Sequence, residues 1–380
     1  MATVVVGSYV VQFPVGGYLS WVLQWLVGLR DLGHEVWFVE KALGPGSCFD
    51  PVAGLSGDDP SFGTRSLDDL LRRFGLADQW CFIDAAGLAH GQPYDSLLEV
   101  FDRADLFIDM GTFGSLAAES ARATRRILVD GEPGGTQMRM ANAYTRGERA
   151  GDYDAYVTVG LNIGAASCSV PTAGVAWKPS VYPVVPAIFP VIPPPPDAPY
   201  TTIMSWSAHD ETTYEGRTYG AKDLEFPKFI DLPGLVDVDM EIAVSGRVPG
   251  QQLDERGWRR RSAHDVTITF DHFRDYIRNS RGEFSVCKNS FVATRSGWMG
   301  DRAAAYLASG RPVVMQDTGF SEHLPCGEGL FAVSSVEQAA EAIREIESDY
   351  ERHSRAARLL AETHFAAELV LGRLLAEVLP

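Results

Sequence analysis

The chain has 380 residues, which predicts roughly two or three domains at ~150 residues each. Apolar residues make up 46% and charged residues 22% of the sequence, which excludes disorder throughout the chain, a collagen-like protein and a disulfide-rich miniprotein. Lys and Arg total 33 against 50 Asp and Glu, and the resulting net charge of −17 makes nucleic acid and anionic membranes poor general partners.

Five cysteines are scattered along the chain without C-x-x-C spacing: Cys48, Cys81, Cys168, Cys287 and Cys326. Their odd number and irregular spacing indicate free thiols in a reducing compartment. The amino terminus lacks a basic signal-peptide region, and the longest apolar helical stretch, residues 18–29, is shorter than the ~20 residues of a membrane span. We therefore expect a cytoplasmic protein without an integral membrane segment.

The first forty residues predict a βαβ unit. A β-branched run at 3–6 is typical of a buried strand. A Gly-rich loop follows it, and apolar residues at helical spacing then predict a helix at 20–32. A second strand is predicted at 35–39. Further strands, each followed by a loop or a Gly-rich turn, are predicted at 106–110, 127–130 and 155–159. Because strands joined through helices pair in parallel, this half is predicted to be a doubly wound α/β domain.

Eight prolines fall between Pro183 and Pro199. Proline neither pairs within a central strand nor continues a helix, so this segment is predicted to be a stiff linker. The strand–helix alternation then restarts, with strands predicted at 201–206, 240–244, 283–286 and 312–315.

A long helical tail is predicted from about Val336, capped by Ser334 or Ser335 and broken near His364. The predicted organisation is a Rossmann-like domain over 1–182, a linker over 183–199, a second Rossmann-like domain over 200–360, and a last helix at 361–380 that crosses back to the first domain. Two such domains face each other across a cleft, and ligands bind such sheets beyond the carboxyl ends of the strands.

The run from Arg295 to Phe331 predicts a phosphate site. A tight loop at 296–300 leads into a helix at 302–308, where unpaired backbone N–H groups would bind an anion. Arg302 would add a positive charge, with a salt bridge to a neighbouring carboxylate as the alternative. The loop after the next strand, residues 317–322, is expected to face the same cleft.

The motifs that follow carry a family resemblance. They are Ala308-Ser-Gly310-Arg-Pro-Val-Val314, Asp317, Gly319-Phe-Ser-Glu322, Gly329 to Val333, the Glu- and Ala-rich 337–343, and Gly33-His-Glu-Val36 near the amino terminus. Together they resemble glycosyltransferases of the GT-B fold. The resemblance implies an α/β fold with two Rossmann-like domains, and metal-independent transfer of a sugar from a nucleotide-sugar donor to a small-molecule acceptor, without a cofactor.

The resemblance also implies roles for individual residues. Arg217 and Lys222 have the spacing of the cations that hold the leaving diphosphate, with two ordinary surface cations as the alternative. The full set expected to bind the donor is Arg217, Lys222, Lys288, Ser296, Gly297, Gly300, Asp301, Arg302, Asp317, Thr318, Gly319 and Glu322. Retaining members usually carry two glutamates where this chain has Ala305 and the Gly297–Trp298 region, so ribose recognition is expected to have moved to Asp301 or Glu322.

The acceptor side is predicted in the first domain. Strand-end Asp130 and Asp109 are candidate general bases, and each is equally a candidate cap of the following turn. His209 is a third candidate base, with a structural role as its alternative. The loop with Gln12, Gly16 and Gly17 is expected to shape the acceptor side.

Two other functions remain open at this point. One is a sugar-nucleotide epimerase of the same fold, and the other is a nucleotide-sugar-binding protein without catalysis. The D-x-D sequence at Asp237 and Asp239 is interpreted as chance rather than as a metal site, because it lies in an acidic loop.

Overall fold

The computed structural model describes residues 1–148, 151–207 and 211–379. Its strands form one large sheet in each half of the chain. The strands of the first half are β1 (Thr3–Gly7), β2 (Glu35–Lys41), β3 (Cys48–Asp50), β4 (Leu55–Gly57), β5 (Trp80–Ile83), β6 (Ala89–Gly91), β7 (Leu106–Asp109), β8 (Arg126–Asp130), β9 (Ala155–Thr158) and β10 (Trp177–Pro179). The helices of this half are α1 (Gly16–Asp31), α2 (Ser61–Arg73), α3 (Tyr94–Asp102), α4 (Ala117–Ser120) and α5 (Gly135–Thr145).

The eight-stranded sheet of the first half has the order β10-β9-β8-β7-β1-β2-β5-β6. Its pairs are parallel except that β6 runs antiparallel to β5, and β3 and β4 form a separate hairpin. From β9 to β5 this is the strand order of a Rossmann sheet, in which the chain reverses direction across the sheet between β1 and β7. That switch point is where such a sheet opens a crevice for a ligand.

The second half repeats the arrangement. Its strands are β11 (Tyr200–Ser205), β12 (Thr212–Tyr214), β13 (Arg217–Tyr219), β14 (Met240–Ser245), β15 (Arg259–Ser262), β16 (Gly282–Ser285), β17 (Val313–Gln316) and β18 (Leu330–Val333). Its helices are α6 (Gly250–Glu255), α7 (Ala263–Thr267), α8 (Phe270–Arg278), α9 (Asn289–Thr294), α10 (Asp301–Ala308), α11 (Val336–Ser348), α12 (Tyr350–Leu360) and α13 (Ala367–Val378). The six-stranded sheet has the order β15-β14-β11-β16-β17-β18, all parallel, with its switch point between β11 and β16, and β12 and β13 form a separate hairpin.

The proline-rich segment and the helical tail join the two halves. Residues 183–199 carry one short 3-10 turn, Pro186–Ile188, and Val184 bridges to Ala366. The tail turns through a π-helical segment, Ala361–Phe365, which contains the predicted break at His364. Helix α13 then packs on α1, where a Cβ at Gly28 would lie 2.6 Å from the Cβ of Ala367.

The apolar core is shared between the halves. One cluster of buried side chains joins Leu23 of α1 and Phe189 of the linker with Phe273 of α8 and Tyr306 of α10. All five cysteines are free. Within the described ranges, no helix combines the length and apolar character that a membrane span requires.

The predicted element boundaries differ from the structure at α1. The helix begins at Gly16 rather than Ser20, because Gly16 and Gly17 adopt helical geometry instead of forming a loop, and it ends at Asp31 before Gly33 at φ +85°. Ser335 rather than Ser334 caps α11, its hydroxyl accepting a hydrogen bond from the backbone N–H of Gln338 at 3.3 Å.

Candidate functional site

The carboxyl ends of the two sheets meet across a cleft. The ammonium of Lys288, in the loop after β16, lies 2.6 and 2.7 Å from the carboxylate oxygens of Glu132, in the turn after β8. The backbone N–H of Asn162, which follows β9, donates to the carbonyl of Ser296 at 3.1 Å. His323 Nε2 lies 2.5 Å from Asn162 Oδ1. These contacts bring together the two edges at which doubly wound sheets bind ligands.

Lys222 is a buried cation on the second-sheet side of this cleft. It begins a 3-10 turn after β13 and is only 7% exposed. Among the residues that the structure describes, none forms an ion pair with its ammonium. Burial, together with the nearby positive charge of Arg302, lowers the pKa of Lys222 to about 7. A buried ammonium without a paired carboxylate is stabilised by a bound anion.

Arg302 takes the salt-bridge alternative rather than a free position. Its guanidinium donates to the carboxylate of Glu283 at 2.6 Å and to the hydroxyl of Ser285 at 2.8 Å, and it also bonds the carbonyl of Ile203. Glu283 is completely buried. Arg302 is therefore fixed against β11 and β16, with its charge paired to Glu283.

The sequence predicted free backbone amides in the loop before α10, but at two positions of this loop the amide is already hydrogen-bonded. The N–H of Ser296 bonds the carbonyl of Phe291 at 3.1 Å, and the N–H of Gly297 bonds the carbonyl of Thr318 at 2.8 Å. Gly300 is the residue that precedes α10. The amides of Ser296 and Gly297 therefore already have partners within the fold.

Gly297 lies in the Gly297–Trp298 region, the first of the two places where the resemblance implies a glutamate. Its φ is +76°, and a Cβ there would lie 2.8 Å from the backbone nitrogen of Asn162 and 3.0 Å from that of Leu161. The backbone after β9 thus fills the space that a side chain would need. The second place is Ala305, which is buried within α10.

Asp301 is a carboxylate that opens α10, directly after Gly300. Burial raises the pKa of Asp301 to about 6. Burial is also the largest cause of the raised pKa values of Tyr9 and Tyr18, to which the charge of Asp301 adds a smaller effect.

The loop after β17 is held mostly by its own contacts. Asp317 accepts hydrogen bonds from the N–H of Gly319 at 2.8 Å and from the hydroxyl of Ser321 at 2.9 Å. Thr318 donates to the carbonyl of Trp298 at 2.6 Å, and Glu322 pairs with Arg295. These bonds fix the shape of the loop, and donor binding by its residues stays a prediction.

Arg217 does not share the buried environment of Lys222, although their spacing on the chain predicted that both bind the diphosphate. It is exposed on β13, with its guanidinium 5.1 Å from the centre of the Tyr219 ring. This position corresponds to the surface-cation alternative.

The two strand-end aspartates are engaged by their own turns. Asp130 accepts hydrogen bonds from Gln137 at 2.7 Å and Thr158 at 2.8 Å, and burial raises its pKa. Asp109 accepts from the hydroxyls of Thr112 at 2.7 Å and Tyr153 at 2.6 Å. The geometry favours the capping alternative for both. His209 lies outside the described residues.

The predicted acceptor loop is built on a carboxylate that sequence reasoning missed. Glu40, fully buried near the end of β2, accepts hydrogen bonds from the backbone N–H groups of Val10, Val11 and Gln12 at 2.7, 2.6 and 2.8 Å. The Gln12 side chain also donates to it at 3.0 Å. Burial raises the pKa of Glu40 to about 7. The signal for this group was an acidic residue near the end of a predicted strand.

The glycines of this loop serve a close approach between the domains. A Cβ at Gly16 would lie 2.4 Å from the carbonyl oxygen of Thr269 and 2.5 Å from the Cβ of Phe273. At Gly17 the nearest atom, on the Phe273 ring, would be 3.8 Å away.

A group of aromatic side chains lies on the first-domain side, and the sequence indicated it only in part, since the helical spacing of Tyr18 and Trp21 predicts core and cleft lining. We define this aromatic cluster as Tyr9, Phe13, Tyr18, Trp21, Phe113 and Tyr182. Tyr18 and Trp21 lie on α1, whereas the other members come from separate loops, so no periodicity in the sequence reveals the whole cluster. Within the described residues, no group of three or more His, Cys, Asp and Glu side chains is arranged to hold a metal ion.

No protein-family model and no curated protein matches this chain in sequence. Solved structures match it in shape over nearly their whole length. Anabaena HepE in complex with UDP-glucose has a TM-score of 0.59 at 11% identity, with all of both chains covered. An alpha-glucosyltransferase with UDP-glucose and DNA has 0.56 at 10%, covering 98% of each chain. Sucrose-phosphate synthase from Thermosynechococcus elongatus has 0.53 at 12%, covering 99% of each.

These neighbours confirm the predicted fold class. The chain has the GT-B fold, with two Rossmann-like sheets that face each other across a cleft.

Proposed function

We propose that the protein is a glycosyltransferase that moves a sugar from a nucleotide-sugar donor to a hydroxyl or amine of a small acceptor, without a metal or other cofactor. The observation that carries the proposal is Lys222, a buried ammonium that no described residue pairs with, at the cleft edge of the second sheet. The fold supports it, since several structural neighbours carry UDP or UDP-glucose in this architecture.

The proposed chemistry follows from the position of that charge. When the bond between the sugar and the diphosphate breaks, negative charge grows on the departing phosphate oxygen. A fixed cation in a desolvated cleft stabilises this charge more in the transition state than in the ground state.

The acceptor is proposed to bind on the first-domain side, beyond the ends of β1, β7 and β8. A small molecule suits the net charge of −17, which disfavours a polyanionic acceptor. Free cysteines and the composition fit a protein of the cytoplasm.

The test is nucleotide binding by calorimetry. UDP, GDP, ADP and dTDP are titrated into the wild type, into Lys222→Met and into Lys178→Met, a matched control on β10 whose ammonium pairs with Glu377 at the surface. We expect one nucleotide to bind the wild type and the control equally, and Lys222→Met to bind it at least about tenfold more weakly, as for loss of one charged hydrogen bond. Equal affinities for all three proteins would reject this site.

A nucleotide-sugar-binding protein without catalysis is the second candidate, and Gly297 and Ala305 favour it. Neither can supply the carboxylates that retaining members of the resembled family usually carry at these two places. Turnover separates the possibilities: sugar transfer to an acceptor supports the transferase, epimer formation without acceptor supports an epimerase, and binding without either supports the non-catalytic protein.

A further inference from the structure

The aromatic cluster lies at the switch point of the first sheet. Tyr9 and Phe13 belong to the loop after β1, and Phe113 belongs to the loop after β7. Strands β1 and β7 are neighbours, but from β1 the chain continues towards one edge of the sheet and from β7 towards the other. Their loops therefore diverge and leave the crevice in which doubly wound sheets bind ligands.

Tyr9 is the centre of the cluster. Its ring centre lies 5.2 Å from that of Tyr18, 5.9 Å from Phe113, 6.1 Å from Trp21 and 6.2 Å from Phe13. The crevice is therefore bordered by aromatic rings at the tilted and edge-to-face angles that favour contact with a further ring.

Two of these rings are directed to solvent. Phe113 is 72% exposed and Phe13 is 39% exposed. The backbone of Phe113 has φ +52°, a left-handed conformation that is unfavourable for a bulky side chain, and it stands between Gly111 at φ +108° and Gly114 at φ +81°. The surrounding turn thus holds an apolar ring outward at an energetic cost, which is a pattern found at ligand-binding positions.

The cluster also holds a hydrogen-bond donor that is not used. The indole N–H of Trp21 is buried and has no acceptor among the described residues. A buried N–H without a hydrogen-bond acceptor is unfavourable unless a ligand atom accepts its hydrogen bond. The cluster therefore combines exposed apolar rings with one buried, unused polar group.

We propose that this crevice binds an aryl acceptor, a planar aromatic ring that carries the hydroxyl or amine to be glycosylated. The inference rests on the proposed function and deepens it by naming the acceptor class. Stacking of the acceptor on the exposed ring of Phe113 accounts for that ring's position, and the Trp21 N–H is an unused donor in the same cluster.

The experiment measures binding of 7-hydroxycoumarin by its fluorescence, with myo-inositol as a non-aromatic polyol competitor. The proteins are the wild type, Phe113→Ala, the double variant Phe13→Ala/Phe113→Ala and the control Leu88→Ala, an exposed apolar residue in the turn between β5 and β6. We expect the coumarin to bind the wild type and the control alike, and each removed ring to weaken binding by about 2- to 12-fold. Myo-inositol should not displace it.

UDP-glucose binding is measured on the same samples by calorimetry. Unchanged coumarin affinity in both Phe variants, or displacement by myo-inositol, overturns the aryl-acceptor inference while leaving the donor site intact. Failure of every protein to bind any nucleotide sugar instead rejects the proposed function, whatever the coumarin does. Loss of coumarin binding with UDP-glucose affinity retained supports the inference.

Discussion

At the scale of single residues, the cleft is organised by charged groups that the fold has taken out of water. Lys222, in the 3-10 turn after β13, and Glu40, near the end of β2, are both buried, and burial moves both pKa values towards neutrality. Lys222 lacks a described carboxylate partner, whereas Glu40 is held by three backbone N–H groups. The first is therefore suited to a ligand and the second to fixing a loop.

Nucleotide affinity should fall as the pH rises above neutrality. The free pKa of Lys222 is about 7, and a bound diphosphate raises it because it favours the charged ammonium. Between these two values the dissociation constant should rise by up to about tenfold per pH unit. Calorimetry with UDP from about pH 6.5 to about pH 9.5 checks this. The Lys178→Met control should show the wild-type slope, and a flat wild-type profile would contradict the prediction.

Glu40 should make the stability of the fold depend on pH. Its pKa is raised from 4.5 to about 7, so the folded state binds more protons than the unfolded state in this range and stability falls as the pH rises through it. The loss is up to about 1.4 kcal/mol per pH unit. Urea unfolding at several pH values should show this slope in the wild type.

The matched variants isolate the group responsible. Glu40→Gln should lose this part of the slope, and Glu99→Gln, on the exposed face of α3, should keep it. Parallel profiles for the wild type and Glu40→Gln would show that Glu40 does not titrate in this way.

At the scale of elements, the first turn of α1 sets how closely the domains approach. Gly16→Ala should destabilise the protein by about 1–3 kcal/mol, because its Cβ has no room against the carbonyl of Thr269. Gly17→Ala is the matched control. It has room, and it should be neutral or stabilise the helix by up to about 1 kcal/mol. Urea unfolding measures both, and equal effects would refute the close-approach explanation.

Sequence patterns predicted the strands and helices that are determined by their own residues. The β-branched run of β1 and the apolar run of β7 identify strands that are buried on both faces. Strand β15 has no such pattern: it is Arg-Arg-Arg-Ser, exposed throughout, and it is a strand only because it pairs with the edge of β14. Edge pairing is a tertiary effect, so local propensity could not reveal it.

The site shows the same division. The spacing of Lys222 from Arg217 predicted both residues as phosphate ligands. Spacing alone does not reveal that Arg217 is exposed on β13 whereas Lys222 is buried in the turn that follows. The aromatic cluster required knowledge of which loops meet, and that is fixed by the strand order. The sequence therefore predicted where the cleft lies better than it predicted which side chains line it.

At the scale of the whole molecule, the two halves share one apolar cluster, and the tail passes from the second sheet back to α1. We expect a single cooperative transition in scanning calorimetry, with the van't Hoff and calorimetric enthalpies equal. The reason is that neither half can unfold without exposing apolar surface of the other. Two resolved transitions would show that the domains melt independently.

The turn that presses on Gly297 restricts how the chain can be redesigned. A glutamate in place of Gly297 would meet the backbone of Leu161 and Asn162 and would have to adopt a left-handed φ. A carboxylate therefore cannot be added at this place by one substitution unless the segment after β9 moves away from it.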